Sequence, residues 1–320
     1  NKGGNNGADS HENGDNTGKI NYLTYDPQFV DAANGNYRLK SGSNPGINQG
    51  SNDNYNSLAG NHATDVDIEG KPRTIGNTID MGAIEDTIPY VAGAGNVLYV
   101  KKGATGNGSA WGNEIGEVAD ALRWAKHRIN LGGETLSIKV AKGEYQPMYS
   151  PINLDPSSDE KDNTFLMVNN VYLYGSYDPE NGKVADTEVN VKNTPSILSG
   201  KETNYHVLLG AGDRNQSNLN VYSKVDGFVI EKGKAQGSGD ITVNNSGINK
   251  GYGAGAYFDN SRVKINNSIF RNNDGKVRAG GLYAERDSDV MLSNTLMYDI
   301  KVNEEGSAIY ATNGNTKVTI

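Results

Sequence analysis

The last quarter of this sequence repeats itself every 26 to 28 residues. Three sets of segments match: 255–257 with 281–283 and 308–310, 263–265 with 290–292 and 318–320, and 267–270 with 294–297. Repeats of roughly 20 to 50 residues are typical of solenoid proteins, in which each repeat buries its apolar face only against its neighbours. The repeat therefore predicts a solenoid.

Each repeat has the pattern of short β-strands. Between residues 262 and 266, Val263 and Ile265 alternate with charged or polar residues, so one face of the run is apolar and the other polar. Three such runs per repeat, separated by Gly, Asn and Asp, describe a triangular coil. We therefore predict an all-β fold, a parallel β-helix in which each strand pairs with its equivalent one repeat away.

The residues between the runs fit this interpretation. Asn is frequent there, tolerates left-handed backbone angles and can hydrogen-bond to the Asn of the next coil. Small residues at 254–255 and 279–280 are expected where two faces pass close together. An ordinary β-sandwich with chance similarity between its segments is the alternative, and three matched segments per repeat favour the solenoid.

The composition limits the classes of fold and function that this chain can have. The 320 residues include 41 Gly and 9 Pro, and the hydrophobic content of 35% suits a thin core column with tight turns. The net charge is −8 and there is no basic stripe, so we expect no nucleic-acid partner. The absence of cysteine excludes disulfides and thiolate metal sites. No apolar run approaches the roughly 20 residues of a membrane span, so we expect no membrane insertion in this segment.

The first 85 residues differ from the repeats. Residues 1–20 are almost entirely polar, which predicts a long loop, and we expect that both ends of the sequence are cuts in a longer polypeptide. Five motifs then follow in order: DPQFVD at 26–31, YRL at 37–39, SNPGINQG at 43–50, DIEGKPR at 67–73 and IDMGAIE at 79–85.

This series resembles the C-terminal end of secreted right-handed parallel β-helix surface proteins of Bacteroidetes, which carry repeats like those of polymorphic outer-membrane proteins. The last two motifs are specific, whereas 44–46 departs from the usual Ser-Pro-Ala of that family. The resemblance implies a cap, which covers the unpaired edge and open apolar end of the last coil. Arg73 and Asp80 are candidates for an ion pair. The apolar residues available to the cap are Phe29, Leu39, Ile47, Met81 and Ile84.

A second module is predicted to begin at residue 97. The expected elements are a strand at 97–100, a Gly-rich loop at 101–108, a helix at 114–130 with Asn113 as its N-cap and Gly132 and Gly133 at its end, and strands at 136–140 and 143–145. This order resembles the opening of the same β-helix family, in which the helix plugs the N-terminal end. We therefore predict a C-terminal cap of an upstream β-helix at 1–85, a linker at 86–96, and the N-terminal cap and first coils of a second β-helix at 97–320.

Two tryptophans and two polar stretches complete this module. Trp111 and Trp124 flank the apolar stripe of the predicted helix, so we expect them in the core of the plug and not in a sugar-binding platform. Further strands are predicted at 164–176, 195–200, 205–208 and 225–230. The stretches 178–193 and 232–250 are predicted to be extended loops, where solenoids commonly carry binding function.

Tandem β-helices in one exported chain resemble large surface adhesins of Bacteroidetes, which that lineage commonly exports by type IX secretion and some of which serve attachment or gliding. The resemblance implies a location outside the cell, at the bacterial surface. It also implies a non-catalytic segment of an adhesin or filament-like repeat protein. The expected partners are a surface or glycan ligand and neighbouring modules of the same chain.

Parallel β-helices also carry polysaccharide lyases and hydrolases, whose sites need clustered Asp with Arg, Lys or His. Arg262 and Lys264 match an Arg-x-Lys pattern, but no Gly-His-Gly and no adjacent Asp pair accompanies them, and outward strand positions explain both. Two alternatives to the adhesin stay open: such an enzyme with its active site outside this segment, and a structural spacer.

Other candidate sites are equally weak, so we assign no catalytic, cofactor-binding or metal-ligating residue. The acidic stretch 155–163 lacks the Gly and Glu spacing of an EF-hand and is predicted to be a solvated loop. The glycines of 103–108 are not followed by the Lys-Ser/Thr pair of a phosphate-binding loop. The four histidines have no metal-ligand spacing, with His127 expected on a solvent-facing side of the helix and His206 in a strand: His11, His62, His127 and His206.

Overall fold

The structure is a computed structural model of the chain. It describes residues 29–31, 36–39, 52–58, 62–68, 70, 72–73, 79–80, 82, 84–85, 90–130, 134–152, 154, 159–212 and 222–320, and the side-chain surroundings of these residues apart from 29–31, 36–39, 53–54, 63 and 127–130. The chain divides into two compact units, Asn1–Tyr90 and Val91–Ile320.

The first unit contains an antiparallel pair of strands, β1 (Phe29–Asp31) and β2 (Asn36–Leu39), and a short helix, α1 (Asn52–Asn56). Residues of the motif at 67–73 contact Glu85 of the motif at 79–85, which is fully buried. The Arg73 guanidinium forms an ion pair with the Glu85 carboxylate, and the backbone N–H of Glu85 donates to Asp67 Oδ2 at 2.9 Å.

This arrangement corrects the predicted partner of Arg73. Its carboxylate partner is Glu85, and the guanidinium reaches Asp80 only at the backbone carbonyl, at 3.2 Å. Of the apolar residues expected to form a cap, Ile84 is half-buried. The side chains of the other four, Phe29, Leu39, Ile47 and Met81, lie outside the described ones.

The second unit is built almost entirely of short strands. Its strands are β3 (Val97–Val100), β4 (Leu136–Ala141), β5 (Gly143–Tyr145), β6 (Phe165–Leu166), β7 (Val171–Tyr177), β8 (Ser196–Ser199), β9 (Leu208–Ala211), β10 (Ser223–Asp226), β11 (Phe228–Glu231), β12 (Lys234–Ala235), β13 (Asp240–Val243), β14 (Ser246–Asn249), β15 (Ala256–Asp259), β16 (Arg262–Asn266), β17 (Ile269–Arg271), β18 (Asp274–Gly275), β19 (Leu282–Glu285), β20 (Asp289–Ser293), β21 (Leu296–Tyr298), β22 (Lys301–Val302), β23 (Ile309–Thr312) and β24 (Lys317–Thr319). Its helix is α2 (Val118–Asn130).

Most of these strands form three open, parallel sheets. Sheet 1 has the order β24-β20-β16-β10-β7-β4-β3, sheet 2 the order β21-β17-β11-β8-β5, and sheet 3 the order β23-β19-β15-β9-β6. From β6 onward the chain visits sheet 3, then sheet 1, then sheet 2, and then returns to sheet 3, in the later repeats by way of a fourth parallel sheet of order β12-β18-β22. Among the described residues α2 is the one long helix, so the predicted all-β class is confirmed at this level.

The pairing register confirms the sequence repeat. In sheet 1, Val263 lies opposite Val290, and Val290 lies opposite Val318. In sheet 3, Tyr257 lies opposite Tyr283, which in turn lies opposite Tyr310. Equivalent residues of successive repeats are therefore hydrogen-bonded neighbours, as the matched segments predict.

The core is formed by buried residues from all three sheets. Ile265, Phe258 and Phe270, one from each sheet, have no exposed side-chain surface. Each repeat supplies such residues, because the side chains of a strand alternate between its two faces. Pairing in register places them next to the buried residues of the preceding repeat. Burial of apolar surface at about 25 cal/mol per Å² makes this column the main source of stability.

The corners of the repeat use left-handed backbone angles. Asn267 and Asn294 have φ of 47° and 46°, and Asn294 Nδ2 donates to Asn267 Oδ1 at 2.8 Å. Asn267 Nδ2 in turn donates to Asp226 Oδ1 at 2.8 Å. The ladder of Asn side chains predicted from the sequence is present at this corner, where Asn accepts a backbone angle that costs most residues energy.

Close approach explains the small residues next to sheet 3. A Cβ atom on Gly255 would lie 2.6 Å from the carbonyl oxygen of Gly281, and one on Gly280 would lie 2.0 Å from that of Lys301. Both distances are far below van der Waals contact with backbone that cannot rotate away. The prediction that faces pass close together at these positions is confirmed.

The helix begins later than predicted. It starts at Val118, and Asn113 is not its N-cap. Residues 113–116 instead form backbone hydrogen bonds with residues 99–108. Ile115 forms a parallel bridge with Val100 and has no exposed surface, so it belongs to the sheet edge and not to the helix stripe. The predicted end at Gly132 and Gly133 lies outside the described residues.

The stretch 232–250 also differs from the prediction of a polar loop. Strands β13 and β14 form an antiparallel hairpin, and its turn residues Asn244 and Asn245 have φ of 48° and 61°, as a two-residue hairpin turn requires. Ile241 and Ile248 of this hairpin pack with Tyr257 and Tyr283 on the outer face of sheet 3. The alternation that marks the hairpin is only four residues long in each strand and is obscured by the surrounding glycines.

Among the described residues, no helix is long and apolar enough to cross a bilayer.

Two adjacent residues of β20 provide a test of this packing. Leu292 is 5% exposed and Met291 is 36% exposed. We expect Leu292→Ala to lower the free energy of unfolding by about 2 to 5 kcal/mol, because it leaves a cavity in the core column. Met291→Ala, the matched control on the opposite face, is expected to change it by less than about 0.5 kcal/mol. Urea unfolding followed by circular dichroism measures both, and equal losses would contradict the inward and outward assignment.

Candidate ligand-binding face

The outer face of sheet 1 carries the most distinctive surface chemistry of the second unit. Many of its outward residues are aromatic or cationic over several consecutive strands, whereas the residues between them are buried. The outward positions are Tyr99 of β3, Lys139 of β4, Tyr172 and Tyr174 of β7, Lys224 of β10, and Arg262 and Lys264 of β16, with Tyr222 just before β10. We call this set the tyrosine–lysine face.

One end of the face is closed by side chains from two loops. The indole of Trp111 packs edge-on against Tyr99, with ring centroids 4.9 Å apart, and lies 5.6 Å from Tyr177. Lys139 Nζ lies 2.7 Å from Asp186, whose carboxylate also accepts a 2.7 Å hydrogen bond from the Tyr177 hydroxyl. The hydrogen bonds from Lys139 and Tyr177 lower the pKa of Asp186, so this carboxylate stays charged and holds the 178–193 loop on the sheet.

Neither tryptophan is in the core, contrary to the prediction. Trp111 is half-buried against outward-facing Tyr99, and Trp124 is half-buried on α2. The buried positions of α2 are occupied by smaller residues, among them Ala121, Leu122 and Ala125. The sequence pattern predicted a wider apolar stripe on the helix than the face of α2 that is buried in the structure.

The middle of the face has cations stacked on tyrosine rings. Lys224 Nζ lies 4.6 Å from the centroid of Tyr174 and forms a 2.8 Å ion pair with Asp226. Lys264 Nζ lies 4.7 Å from the centroid of Tyr222, and the guanidinium carbon of Arg262 lies 5.8 Å from it. Such contacts hold long side chains in place on an exposed surface.

The pattern Arg262-x-Lys264 therefore has the outward orientation expected from the sequence. Val263 between them is 1% exposed, Arg262 is half-buried and Lys264 is exposed. The sequence did not single out Tyr172, Tyr174, Tyr222 or Lys224. Their only local signal is the alternation of Tyr with Val and Leu in β7, and their meeting depends on pairings across about 40 to 50 residues.

A buried ionic cluster of the second unit lies elsewhere, at the edge of the β13–β14 hairpin. Arg286 donates to both carboxylate oxygens of Asp259, at 3.0 and 2.7 Å, and also pairs with Glu285. Arg286 further donates to the carbonyl of Gly247 in the hairpin, at 3.0 Å, and the Tyr257 hydroxyl donates to Glu285 at 2.6 Å. Burial and the adjacent Glu285 carboxylate raise the pKa of Tyr257.

This cluster fastens the hairpin to sheet 3. Asp259 has no exposed surface and Glu285 is only 4% exposed, so a substrate has no access to either carboxylate. A buried carboxylate is tolerated because Arg286 and the hydroxyl group compensate for lost hydration. The arrangement is suited to structure and not to catalysis.

The buried histidine of the second unit is also structural. His206 is 2% exposed, lies just before β9 and packs edge-on against Tyr257 at 5.3 Å. Its Nδ1 lies 3.2 Å from the carbonyl oxygen of Gly253, to which Nδ1–H donates, and its Nε2 has no hydrogen-bond partner. Burial lowers the pKa of His206 to about 4, so the ring is neutral at pH 7. The strand predicted at 205–208 begins only at Leu208.

The remaining candidates make contacts within the chain or lie outside the described residues. In the acidic stretch, Asp162 is paired with Lys250 at 2.9 Å, and residues 155–158 lie outside the described ones. The N–H groups of Gly103, Gly106 and Gly108 donate to the carbonyls of Gly116, Glu114 and Asn113, so they are not directed at a phosphate. His62 pairs with Asp65 in the first unit, the His127 side chain and His11 lie outside the described set, and no group of three or more potential ligands is present in that part of the chain.

Comparisons of the chain with models of protein families, with curated proteins and with solved structures found no match. The functional argument therefore rests on the geometry of the chain alone.

The buried ion pair gives one prediction. We expect Arg286→Met to lower the free energy of unfolding by about 3 to 5 kcal/mol, because it leaves the buried carboxylates of Asp259 and Glu285 without their cation. Lys101→Met, which breaks an exposed pair with Glu180, is the control and is expected to cost less than about 1 kcal/mol. Chemical denaturation measures both; similar values for the two variants would contradict the structural role of Arg286.

His206 gives a pH-dependent prediction. Its pKa is about 4 in the folded chain, against the ordinary value of 6.5 for a solvated histidine, so the unfolded state binds the proton more readily. The stabilisation is complete above about pH 6.5 and is lost as the pH falls towards 4, by about 3 kcal/mol in total.

We expect His206→Gln, which keeps an N–H donor for Gly253, to show a smaller loss of stability between pH 7 and pH 4 than the unsubstituted chain. Thermal unfolding at a series of pH values measures the difference. His62→Gln is the control, because the hydrogen bonds of His62 with the Leu58 carbonyl and the Asp65 carboxylate raise its pKa, a shift opposite to that of His206. Parallel stability curves for His206→Gln and the unsubstituted chain would contradict the prediction.

Proposed function

We propose that residues 91–320 form a right-handed parallel β-helix. The chain passes from sheet 3 to sheet 1 to sheet 2 and back, and equivalent residues of successive passes pair in register. Right-handedness is supported by a general rule: crossovers between parallel strands of one sheet are right-handed in about 98% of cases. In this proposal α2 plugs the open end of the core, because it has buried residues such as Val118 and Leu122 and contacts β3, β4 and β6, the first strands of sheets 1 and 3.

We further propose that the chain is a non-catalytic segment of a large adhesin on a bacterial surface. The observation that carries this is the tyrosine–lysine face, an exposed sheet surface with aromatic rings and cations held in fixed positions. Aromatic rings contact the apolar faces of sugars, and cations contact acidic groups, without any chemistry on the bound molecule.

The acidic groups near this face support binding and not turnover. Asp226 is engaged by Lys224 and Asn267, and Asp289 accepts a hydrogen bond from Tyr222 at 2.8 Å. A hydrolase of sugars commonly needs two carboxylates that face each other across the bound bond. The carboxylates of this face instead neutralise and orient neighbouring side chains, which suits the tyrosine–lysine face to ligand binding.

A binding experiment tests the proposal. We expect the folded chain to bind at least one class of immobilised polysaccharide on a glycan array, and to leave a panel of soluble polysaccharides uncleaved, as measured by reducing-end assay and viscosity. The heat-unfolded chain is the control, because binding by a fixed panel requires the fold. Cleavage of any polymer would contradict the non-catalytic role, and absence of binding to every surface would leave only a structural spacer.

A further inference from the structure

We propose that the tyrosine–lysine face binds an acidic polysaccharide of uronate units, with the sugar chain running across the strands. This inference rests on the proposed adhesive function and specifies its ligand class. The site comprises Tyr172 on β7, Lys224 on β10, and Arg262 and Lys264 on β16, with Tyr222 beneath the last two.

The first argument is the placement of two lysines directly opposite each other. Lys224 and Lys264 are register partners in adjacent strands, which lie about 4.8 Å apart. Like charges in this position destabilise a sheet. Asp226 neutralises Lys224, whereas the exposed ammonium of Lys264 is held over the Tyr222 ring and faces solvent. An anionic ligand at this point would relieve the repulsion.

The second argument is the sign of the local charge. The chain as a whole has a net charge of −8, yet this panel gathers three cations on two neighbouring strands. Its two carboxylates are already used, Asp226 by Lys224 and Asp289 by the Tyr222 hydroxyl. A positive patch on an acidic protein selects a ligand whose charges are spaced along a chain, because a densely charged polyanion would be repelled by the rest of the surface.

The third argument is the aromatic position next to the cations. Tyr172 is half-exposed and is the register partner of Lys224, which is itself the partner of Lys264. One row across three strands therefore reads Tyr, Lys, Lys. The strand spacing of about 4.8 Å is close to the length of one sugar unit in an extended polysaccharide. A sugar ring on Tyr172 would place the carboxylates of the next units near the two lysines.

This arrangement favours a uronate polymer over a nucleic acid. Uronates carry one carboxylate per sugar, which matches the spacing of the two lysines in the row, Lys224 on β10 and Lys264 on β16. Nucleic-acid binding is dominated by contacts between phosphates and an extended basic surface, whereas the tyrosine–lysine face is small and belongs to a chain of net charge −8. The guanidinium of Arg262, two residues from Lys264 on the same strand, provides a second donor for a carboxylate.

The test uses the whole 320-residue chain and three polymers: polygalacturonate, neutral dextran and a single-stranded DNA oligomer. We expect binding to polygalacturonate by biolayer interferometry, weakening as salt rises, with much weaker binding to dextran and DNA. Arg262→Gln, Lys264→Gln and Tyr172→Ala are each expected to weaken polygalacturonate binding about tenfold, which corresponds to loss of one charge-assisted or stacking contact. Thermal unfolding of each variant verifies that it is folded.

Lys301→Gln is the matched control, because it removes one exposed positive charge from β22, outside sheet 1. We expect it to change the affinity for polygalacturonate by less than about twofold. Equal weakening by Lys301→Gln and Lys264→Gln would show non-specific attraction and overturn the site. Unchanged binding by Tyr172→Ala would overturn the aromatic position in the site.

The outcomes also separate this inference from the proposed function. Binding to dextran or another neutral glycan but not to polygalacturonate would overturn the uronate assignment and leave the adhesive function intact. Tighter binding to the DNA oligomer than to polygalacturonate would overturn the ligand class. Absence of binding to any polysaccharide on the array would overturn both proposals together.

Discussion

Parallel pairing of each strand with its equivalent in the next repeat is the interaction on which the rest of the second unit depends. It places Val263, Val290 and Val318 in one row and Tyr257, Tyr283 and Tyr310 in another. Because side chains alternate between the two faces of a strand, a slip of one residue would turn the whole apolar set outward. The core column and the outer faces are thus fixed by the same set of backbone hydrogen bonds.

This constraint also decides what the surface can present. On a stacked sheet, one outward residue per strand becomes a row with a regular spacing of about 4.8 Å. In sheet 1 that row contains Tyr172, Lys224 and Lys264, which come from segments far apart in the sequence. A ligand-binding surface of this type needs no loop and no induced fit, since the backbone pairing already orders its members. The function that we propose uses this rigidity.

Departures from simple repetition are stabilised locally. The β13–β14 hairpin interrupts the repeat, covers the outer face of sheet 3 and brings a buried ionic cluster with it. Arg286, itself at a left-handed corner with φ of 52°, joins Asp259 to the hairpin carbonyl of Gly247. Neighbouring repeats have Asn260 and Asn313 at equivalent corners. At this corner Arg286 thus replaces the Asn of the neighbouring repeats, because the inserted β13–β14 hairpin lies next to it.

Short-range periodicity in the sequence is sufficient to specify the repeat length, the register, the alternation of inward and outward residues and the all-β class. It also marked Arg262 and Lys264 as outward residues and 97–100 as the first strand of the second unit. Tertiary structure alone decided the later start of α2, where Ile115 pairs with Val100, and the partner of Arg73, where Glu85 lies closer than Asp80. It alone also assembled the tyrosine–lysine face and moved Trp111 onto an outer surface. Each of these depends on contacts between residues separated by a loop or a whole turn of chain, whose positions no local pattern specifies.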